Sequence, residues 1–277
     1  MVNSIIIDRC KLIGKGIYGT VYEGTWKGTW KDKKVAVKRI QIENVENNQG
    51  EEAMQNLNHP NVVKLYHVES DSDFRIYALE LCQLSLSQLF HDGEAQKNYR
   101  EKMPPEKEVC LQLAMGLAHI HEKGFIYWDF KPQNVLISVH DGKVSMKWAD
   151  FGLSKPRNER GSYSTTEHNK RPDDWFAPEI LIIKENLDRT TPLRQEGTVM
   201  SDIFSTGLIF GYYLLKGRHP YGSQFNTPSN IINNTPVNLT AIEEQQHPMW
   251  AIITDMLKNN PNERISSADV VKRIANI

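Results

Sequence analysis

Short runs of β-branched and aromatic residues occupy the first part of the chain, at 5–13, 20–26, 34–40, 62–68 and 75–81. Clusters of Gly, Asn, Asp and Lys separate them, which predicts a set of strands. One segment breaks this pattern. Glu51, Met54 and Leu57 recur at helical spacing over 51–57, and Asn58-His59-Pro60 stops the helix. After Cys82 the texture changes, and helices are predicted at 85–89 and 106–123. The second places Val109, Leu113, Leu117 and Ile120 on one face and ends at Gly124. A strand pair at 135–137 and 144–146 is joined through Asp141-Gly142, a hairpin signal. Further helices are predicted over 202–215, 249–257 and 267–274, whereas 157–174 and 184–198 are long, polar and aperiodic, the mark of functional or mobile loops. The pattern gives an α+β chain: a small, mostly antiparallel β lobe with one helix over 1–82, then a larger, mainly helical lobe over 83–277.

Composition narrows the classes. The chain has 277 residues, enough to bury about three quarters of its unfolded surface, and a net charge of −1, so no global field favours nucleic acid or an anionic membrane. The basic stretch at 26–39 interleaves Lys27, Lys31, Lys33, Lys34, Lys38 and Arg39 with Trp26 and Trp30. Its shortness favours a solvated hairpin over a nucleic-acid patch. Three widely spaced cysteines, Cys10, Cys82 and Cys110, suit reduced thiols and a cytoplasmic location better than a disulfide framework or a zinc site. No apolar run is long enough to span a membrane. The opening MVNSIIIDRC does not have the form of a signal peptide. Asn238-Leu239-Thr240 matches a glycosylation triplet that means little outside a secretory context.

The candidate chemistry lies in ordered motifs. Gly14-Lys15-Gly16-Ile17-Tyr18-Gly19-Thr20-Val21 is a G-x-G-x-x-G-x-V sequence followed by alternating strand residues rather than by a helix. A glycine turn between strands can lay backbone N–H groups over phosphates, though alone it could be an ordinary hairpin. In Val35-Ala36-Val37-Lys38 the lysine shares a face with Ala36, where a cation needs a carboxylate and an anion as partners. Glu51 is expected to supply the carboxylate, with Glu52 as the alternative.

Asp129, Lys131 and Asn134 sit in YWDFKPQN, and Asp150-Phe151-Gly152 follows sixteen residues after Asn134. This is the layout of phosphoryl transfer from nucleotide. Asp129 would accept the proton of a substrate hydroxyl, Lys131 would neutralise the moving phosphoryl, and Asn134 and Asp150 would hold Mg²⁺. Ala177-Pro178-Glu179 completes the series.

In this order and spacing the motifs resemble a eukaryotic protein kinase domain over essentially the whole chain, which implies a bilobal kinase-like fold. The segments ALELCQLSLSQLF, GKVSMKWADFGLSK, KPQNVLIS and SDIFSTGLIFGYYLLKGRHPYG resemble the kinase domain of the inositol-requiring sensor kinase/ribonucleases of the unfolded protein response. In that family a ribonuclease domain follows the kinase, and none is expected within these residues. The resemblance implies a hinge at Glu80-Leu81-Cys82 that meets the adenine edge, Leu79 as gatekeeper, and Ile13, Val21, Ala36 and Leu136 as the walls around the ring. It further implies that Asp202 supports the catalytic loop, that Arg264 pairs with Glu179, and that Ser162, Ser164, Thr165 and Thr166 lie where related sensors trans-autophosphorylate.

Three positions depart from the family pattern. Trp128 replaces an arginine that in many kinases grips a phosphorylated loop residue, and an indole cannot make that charge-assisted pair. Tyr127 replaces a histidine, yet can donate one hydrogen bond and pack on Phe151. Pro172, followed by Asp173 and Asp174, stands where a threonine is usual, which bears on peptide docking. Two functions are therefore weighed: a serine/threonine protein kinase using ATP and Mg²⁺ on a protein substrate that includes itself, and a nucleotide-sensing module in which ATP or ADP promotes a homodimer with little transfer. A generic binding protein is the remote third reading.

Overall fold

Strands β1 (Ile5–Gly16), β2 (Gly19–Lys27), β3 (Asp32–Gln41), β4 (Leu65–Ser70) and β5 (Phe74–Glu80) form one antiparallel sheet. Its order in this computed structural model is β1-β2-β3-β5-β4. The structure describes residues 4–16, 19–28, 31–44, 49–158, 162–165, 173–186 and 195–277. Alternation does the local work: Val35 and Val37 of β3 and Ile76 and Ala78 of β5 point inward with Ile5 to make a small apolar cluster. The basic hairpin of β2 and β3 is solvated as expected, with Trp26 stacked on Tyr66 at 5.9 Å and Lys33 over the Tyr66 ring at 4.1 Å.

Between β3 and β4 lies helix α1 (Gln49–Asn56). Its inward residues, Ala53 and Leu57 just beyond its end, belong to the large core of the second lobe and not to the sheet's own cluster. Val62 and Val63, read above as part of a strand, instead cross to the second lobe. Val62 bridges Trp148, and the Val63 N–H donates to the Trp148 carbonyl at 2.9 Å.

The larger lobe opens with β6 (Leu84–Ser85) and the short α2 (Leu86–Leu89), capped by Ser85 and Gln88. Helix α3 (Glu94–Lys102) follows; it buries no residue, so it carried no apolar period to read. Helix α4 (Glu106–Glu122) buries Val109, Leu113, Leu117 and Ile120, the predicted face. Strand β7 (Phe125–Ile126) precedes the hairpin β8 (Val135–His140) and β9 (Lys143–Trp148), turned by Asp141 and Gly142, both at positive φ.

Strand β10 (Lys155–Pro156) pairs with β7, and β11 (Ser162–Thr165) with β12 (Gln195–Thr198). That second pairing corrects the loop reading of 157–174 and 184–198, because each stretch lends one strand to a hairpin closed over a long separation. Helix α5 (Pro178–Asn186), unread in the sequence, lies between them. Helix α6 (Val199–Leu214) is buried nearly all round and forms the axis of the lobe. Helices α7 (Thr227–Ile232), α8 (Thr240–Glu244), α9 (Trp250–Met256) and α10 (Ser267–Ala275) complete the lobe, with α9 packed on α6 and α10 on α4. Among the described residues no helix is long and apolar enough to cross a membrane.

Candidate active site

The loop after β7 is held from beneath by one carboxylate. Asp202 of α6, 1% exposed, accepts the Tyr127 N–H at 2.8 Å and the Trp128 N–H at 3.1 Å, and meets His121 Nε2 at 3.1 Å. Trp128 has φ 71°, a left-handed conformation that costs a bulky residue about 1–3 kcal/mol and persists only where its surroundings fix it. Asp202 supplies that fixing. His121 is a part of the support that sequence reasoning missed, since a histidine on an amphipathic helix gives no local signal.

Asp129 emerges from this loop. Its Oδ2 accepts Lys131 Nζ at 2.8 Å and Asn134 Nδ2 at 2.6 Å. Asn134 Nδ2 also donates to the Asp129 carbonyl at 2.9 Å, and the Asn134 carbonyl accepts the Ala149 N–H at 2.9 Å. The catalytic loop is thereby tied to the residue before Asp150. The Asn134 side-chain nitrogen is engaged by Asp129, so its side-chain Oδ1 and the Asp150 carboxylate are the two groups here that could hold a metal. Two hard oxygen donors of this kind suit Mg²⁺, which takes most of its shell from water and phosphate.

Asp150 adopts φ 58°, and its Oδ1 accepts Lys38 Nζ at 2.6 Å. Burial pushes its carboxyl up, but the Lys38 ammonium, with Lys131 and the Gly152 N–H, outweighs this and holds it below the usual carboxylate range. Tyr127 braces the same turn, with its hydroxyl donating to the Ala149 carbonyl and its ring edge-on to Phe151 at 5.2 Å. Both contacts expected of Tyr127 are therefore present.

One expectation is corrected. Glu51 does not meet Lys38; its carboxylate accepts Arg75 Nε at 2.9 Å and the Tyr77 hydroxyl at 3.3 Å, and also pairs with Arg75 Nη2. Burial, with Glu51 next, pushes the Tyr77 phenol up to about 12. The physical reason is helical phase. In α1 the buried positions are Gly50, Ala53 and then Leu57, so Glu51 is turned against β5. Glu52 is no substitute, being exposed.

The other residues expected at the site lie on the sheet and on β8. Ala36 on β3 pairs with Leu79 on β5, and Val21 on β2 with Lys38. Leu136 enters from β8, while Ile13 on β1 is 48% exposed at the rim. Gly14, Lys15 and Gly16 end β1, and Gly19 opens β2 at φ 132°, where a Cβ would lie 2.2 Å from the Arg39 carbonyl oxygen. Ile17 and Tyr18 lie outside the described residues. After β5 the chain turns through Leu81 and Cys82. Glu80 is held by Lys147 Nζ at 3.0 Å, and burial pushes the Cys82 thiol up to about 12.

Farther along the chain, Arg264 makes a bidentate pair with Glu179 at 2.8 and 2.7 Å, as expected, and Ser201 Oγ adds a bond to Glu179 at 3.0 Å. Thr166 and Pro172 lie outside the described residues. Ser162, Ser164 and Thr165 fall on β11.

A family model described as a protein kinase domain matches residues 7–274. The serine/threonine-protein kinase/endoribonuclease ire-1 of Caenorhabditis elegans is 33% identical over 278 residues, covering 97% of this chain and 27% of that protein. The sensor for unfolded proteins in the ER ire1 of Schizosaccharomyces pombe is 31% identical, covering 95% of this chain and 26% of that protein. The human serine/threonine-protein kinase/endoribonuclease IRE2 is 31% identical, covering 98% and 28% respectively. The chain thus spans about a quarter of the length of these curated relatives.

Proposed function

The chain belongs to the protein kinase domain family, and on that premise we propose that it transfers the γ-phosphoryl group of ATP to serine and threonine hydroxyls of a protein substrate that includes a second copy of itself. The observation that carries this reading is the convergence of Lys131 and Asn134 on one oxygen of Asp129, with Asn134 bonded in turn to the backbone beside Asp150. Catalysis of phosphoryl transfer is mostly positioning and charge, and the needed groups are present here. In this reading Asp129 orients the attacking hydroxyl and takes its proton, while Lys131 and Lys38 offset charge on the phosphates. Asn134 and Asp150 would hold Mg²⁺, which supplies charge neutralisation across the phosphate oxygens when bound. The glycine turn of Gly14, Lys15, Gly16 and Gly19 covers the phosphates. Ile13, Val21, Ala36, Leu79 and Leu136 enclose the adenine, and Glu80 and Cys82 meet its edge through backbone groups. We divide the chain at the hinge into an N-lobe, 1–82, and a C-lobe, 83–277.

The relatives named above suggest a setting on the cytoplasmic side of the stress response, with homodimerisation bringing two copies together for trans-autophosphorylation. One observation favours a second reading, a nucleotide-sensing dimerisation module with little transfer: Glu51 is engaged by Arg75 and Lys38 by Asp150. Incubation with labelled ATP and Mg²⁺ separates the two. Incorporation by the wild type, lost in Asp129→Asn and Asp150→Asn, is the expected result. Absent incorporation with a melting temperature still raised by ATP would assign the sensor instead.

A further inference from the structure

Helix α1 touches the active-site turn at a position with no side chain. Gly50 is buried, and a Cβ built on it would lie 2.5 Å from the Phe151 carbonyl oxygen, 3.1 Å from the Gly152 Cα and 3.2 Å from the Gly152 carbonyl oxygen. All three neighbours are backbone, so a side chain here could be admitted only by moving the helix or the Asp-Phe-Gly turn. The next inward residues of the helix, Ala53 and Leu57, join the buried cluster that contains Phe151, Val62 and Trp148. The helix is therefore seated on the turn, and not on the apolar face of its own sheet. The nearest acidic side chain in sequence, Glu51, is turned away and tied to Arg75 and Tyr77. Lys38, 12% exposed at its side chain, finds its carboxylate in Asp150.

We propose that Gly50 is a positioning residue for the phosphoryl-transfer site: its missing side chain lets α1 rest directly on the Phe151–Gly152 backbone, and this contact, with the Lys38–Asp150 pair, orients the Asp-Phe-Gly turn without a helix carboxylate. In this arrangement Glu51 braces α1 against β5 and takes no part in nucleotide binding. The backbone contact has a physical advantage over an ion pair at the same place. A second carboxylate beside Lys38 and Asp150 would add a like charge to a half-buried site, whereas close-packed backbone adds none. It also has a specific weakness, because a single methyl group at position 50 is enough to part the two segments.

This inference rests on the kinase reading, and the experiment is chosen to keep the two apart. The dissociation constant of ADP is measured by calorimetry with and without Mg²⁺ for the wild type, Gly50→Ala and Glu51→Gln, with the melting temperature of each protein recorded without ligand. Gly50→Ala should weaken Mg²⁺-dependent ADP binding about tenfold, a 1.4 kcal/mol change, and the ligand-free melting temperature, which falls if the displaced helix packs less well, shows how much of the protein is folded at the temperature of the titration. Glu51→Gln should bind ADP within about twofold of the wild type and incorporate label from ATP at a similar rate, with a modestly lower melting temperature from the weakened Arg75 pair. ADP binding by Gly50→Ala equal to the wild type overturns the inference. So does a tenfold or greater loss in Glu51→Gln. Should Gly50→Ala not fold, the Glu51→Gln arm decides alone. A wild type that binds no nucleotide under any condition rejects the kinase reading and the inference with it, whereas normal wild-type binding with the variant effects reversed rejects the inference only.

Discussion

The indole of Trp128 lies 5.5 Å from the ring of Phe176, so the catalytic loop and the Phe176-Ala177-Pro178-Glu179 segment are joined by aromatic packing between two buried residues. Trp175, next along, stacks edge-on against Tyr212 at 5.6 Å and His219 at 4.6 Å, and its carbonyl accepts Ser205 Oγ at 2.7 Å. The segment is fastened by this aromatic packing, by the Ser205 hydrogen bond and by the Arg264–Glu179 ion pair, none of which needs a phosphate.

Phosphorylation of the loop should consequently not switch the domain through the residue before Asp129. A variant with Ser162, Ser164, Thr165 and Thr166 all changed to alanine should phosphorylate an exogenous protein substrate within a few-fold of the wild type. A loss of a hundredfold or more would show that a phosphate receiver exists elsewhere. Trp128→Ala, by contrast, removes a buried aromatic and should cost about 3–5 kcal/mol of stability, read by denaturant titration.

Tyr127→Phe keeps the ring on Phe151 but deletes the hydroxyl bonded to the Ala149 carbonyl. A buried acceptor left without its donor costs about 1–3 kcal/mol. Thermal unfolding should show a fall of several degrees, and a variant as stable as the wild type would mean that water replaces the hydroxyl.

Arg264→Ala leaves Glu179 without its bidentate partner and removes the donor that Arg264 gives the Met200 carbonyl. The Arg264 side chain is fully buried, so breaking the pair should destabilise by about 3–5 kcal/mol. Replacing both partners, in Arg264→Met with Glu179→Leu, should recover much of that loss, and a double-mutant cycle measures the coupling.

His219 gives a pH dependence with a definite sign. Burial lowers its imidazole to about 4 from the ordinary 6.5, although a backbone bond to Asp174 works the other way. The unfolded chain then binds a proton between those two values that the folded chain does not. Stability is fully present above pH 6.5 and is lost as pH falls toward 4, at about 1.4 kcal/mol per unit. In His219→Gln the melting temperature should vary less across that window than in the wild type.

Much of the site was legible in the sequence because its chemistry is carried on short, contiguous segments. Asp129, Lys131 and Asn134 are neighbours along one loop, and Asp150 follows a predicted hairpin, so the order of the motifs and their resemblance to protein kinase domains pointed to one site. The strands of the small lobe and the long helix α4 announced themselves through alternation and a single apolar face. Helix α3 did not, since a helix that buries nothing has no period to display, and the β11–β12 pairing did not, since its two strands are polar and far apart in the chain.

The partner of Lys38 is the clearest division between the two sources. A lysine on the inward face of β3 needs a carboxylate; the sequence pointed to Glu51, with Glu52 as the alternative, whereas the fold supplies Asp150. Which one it meets depends on the rotation of α1 about its axis by a single residue, a matter of some 100°. No local property of an eight-residue helix sets that angle. It is set by where Ala53 and Leu57 find apolar company and by how closely Gly50 can approach the Phe151 carbonyl. Those are contacts between segments about a hundred residues apart, and only the packed chain brings them together.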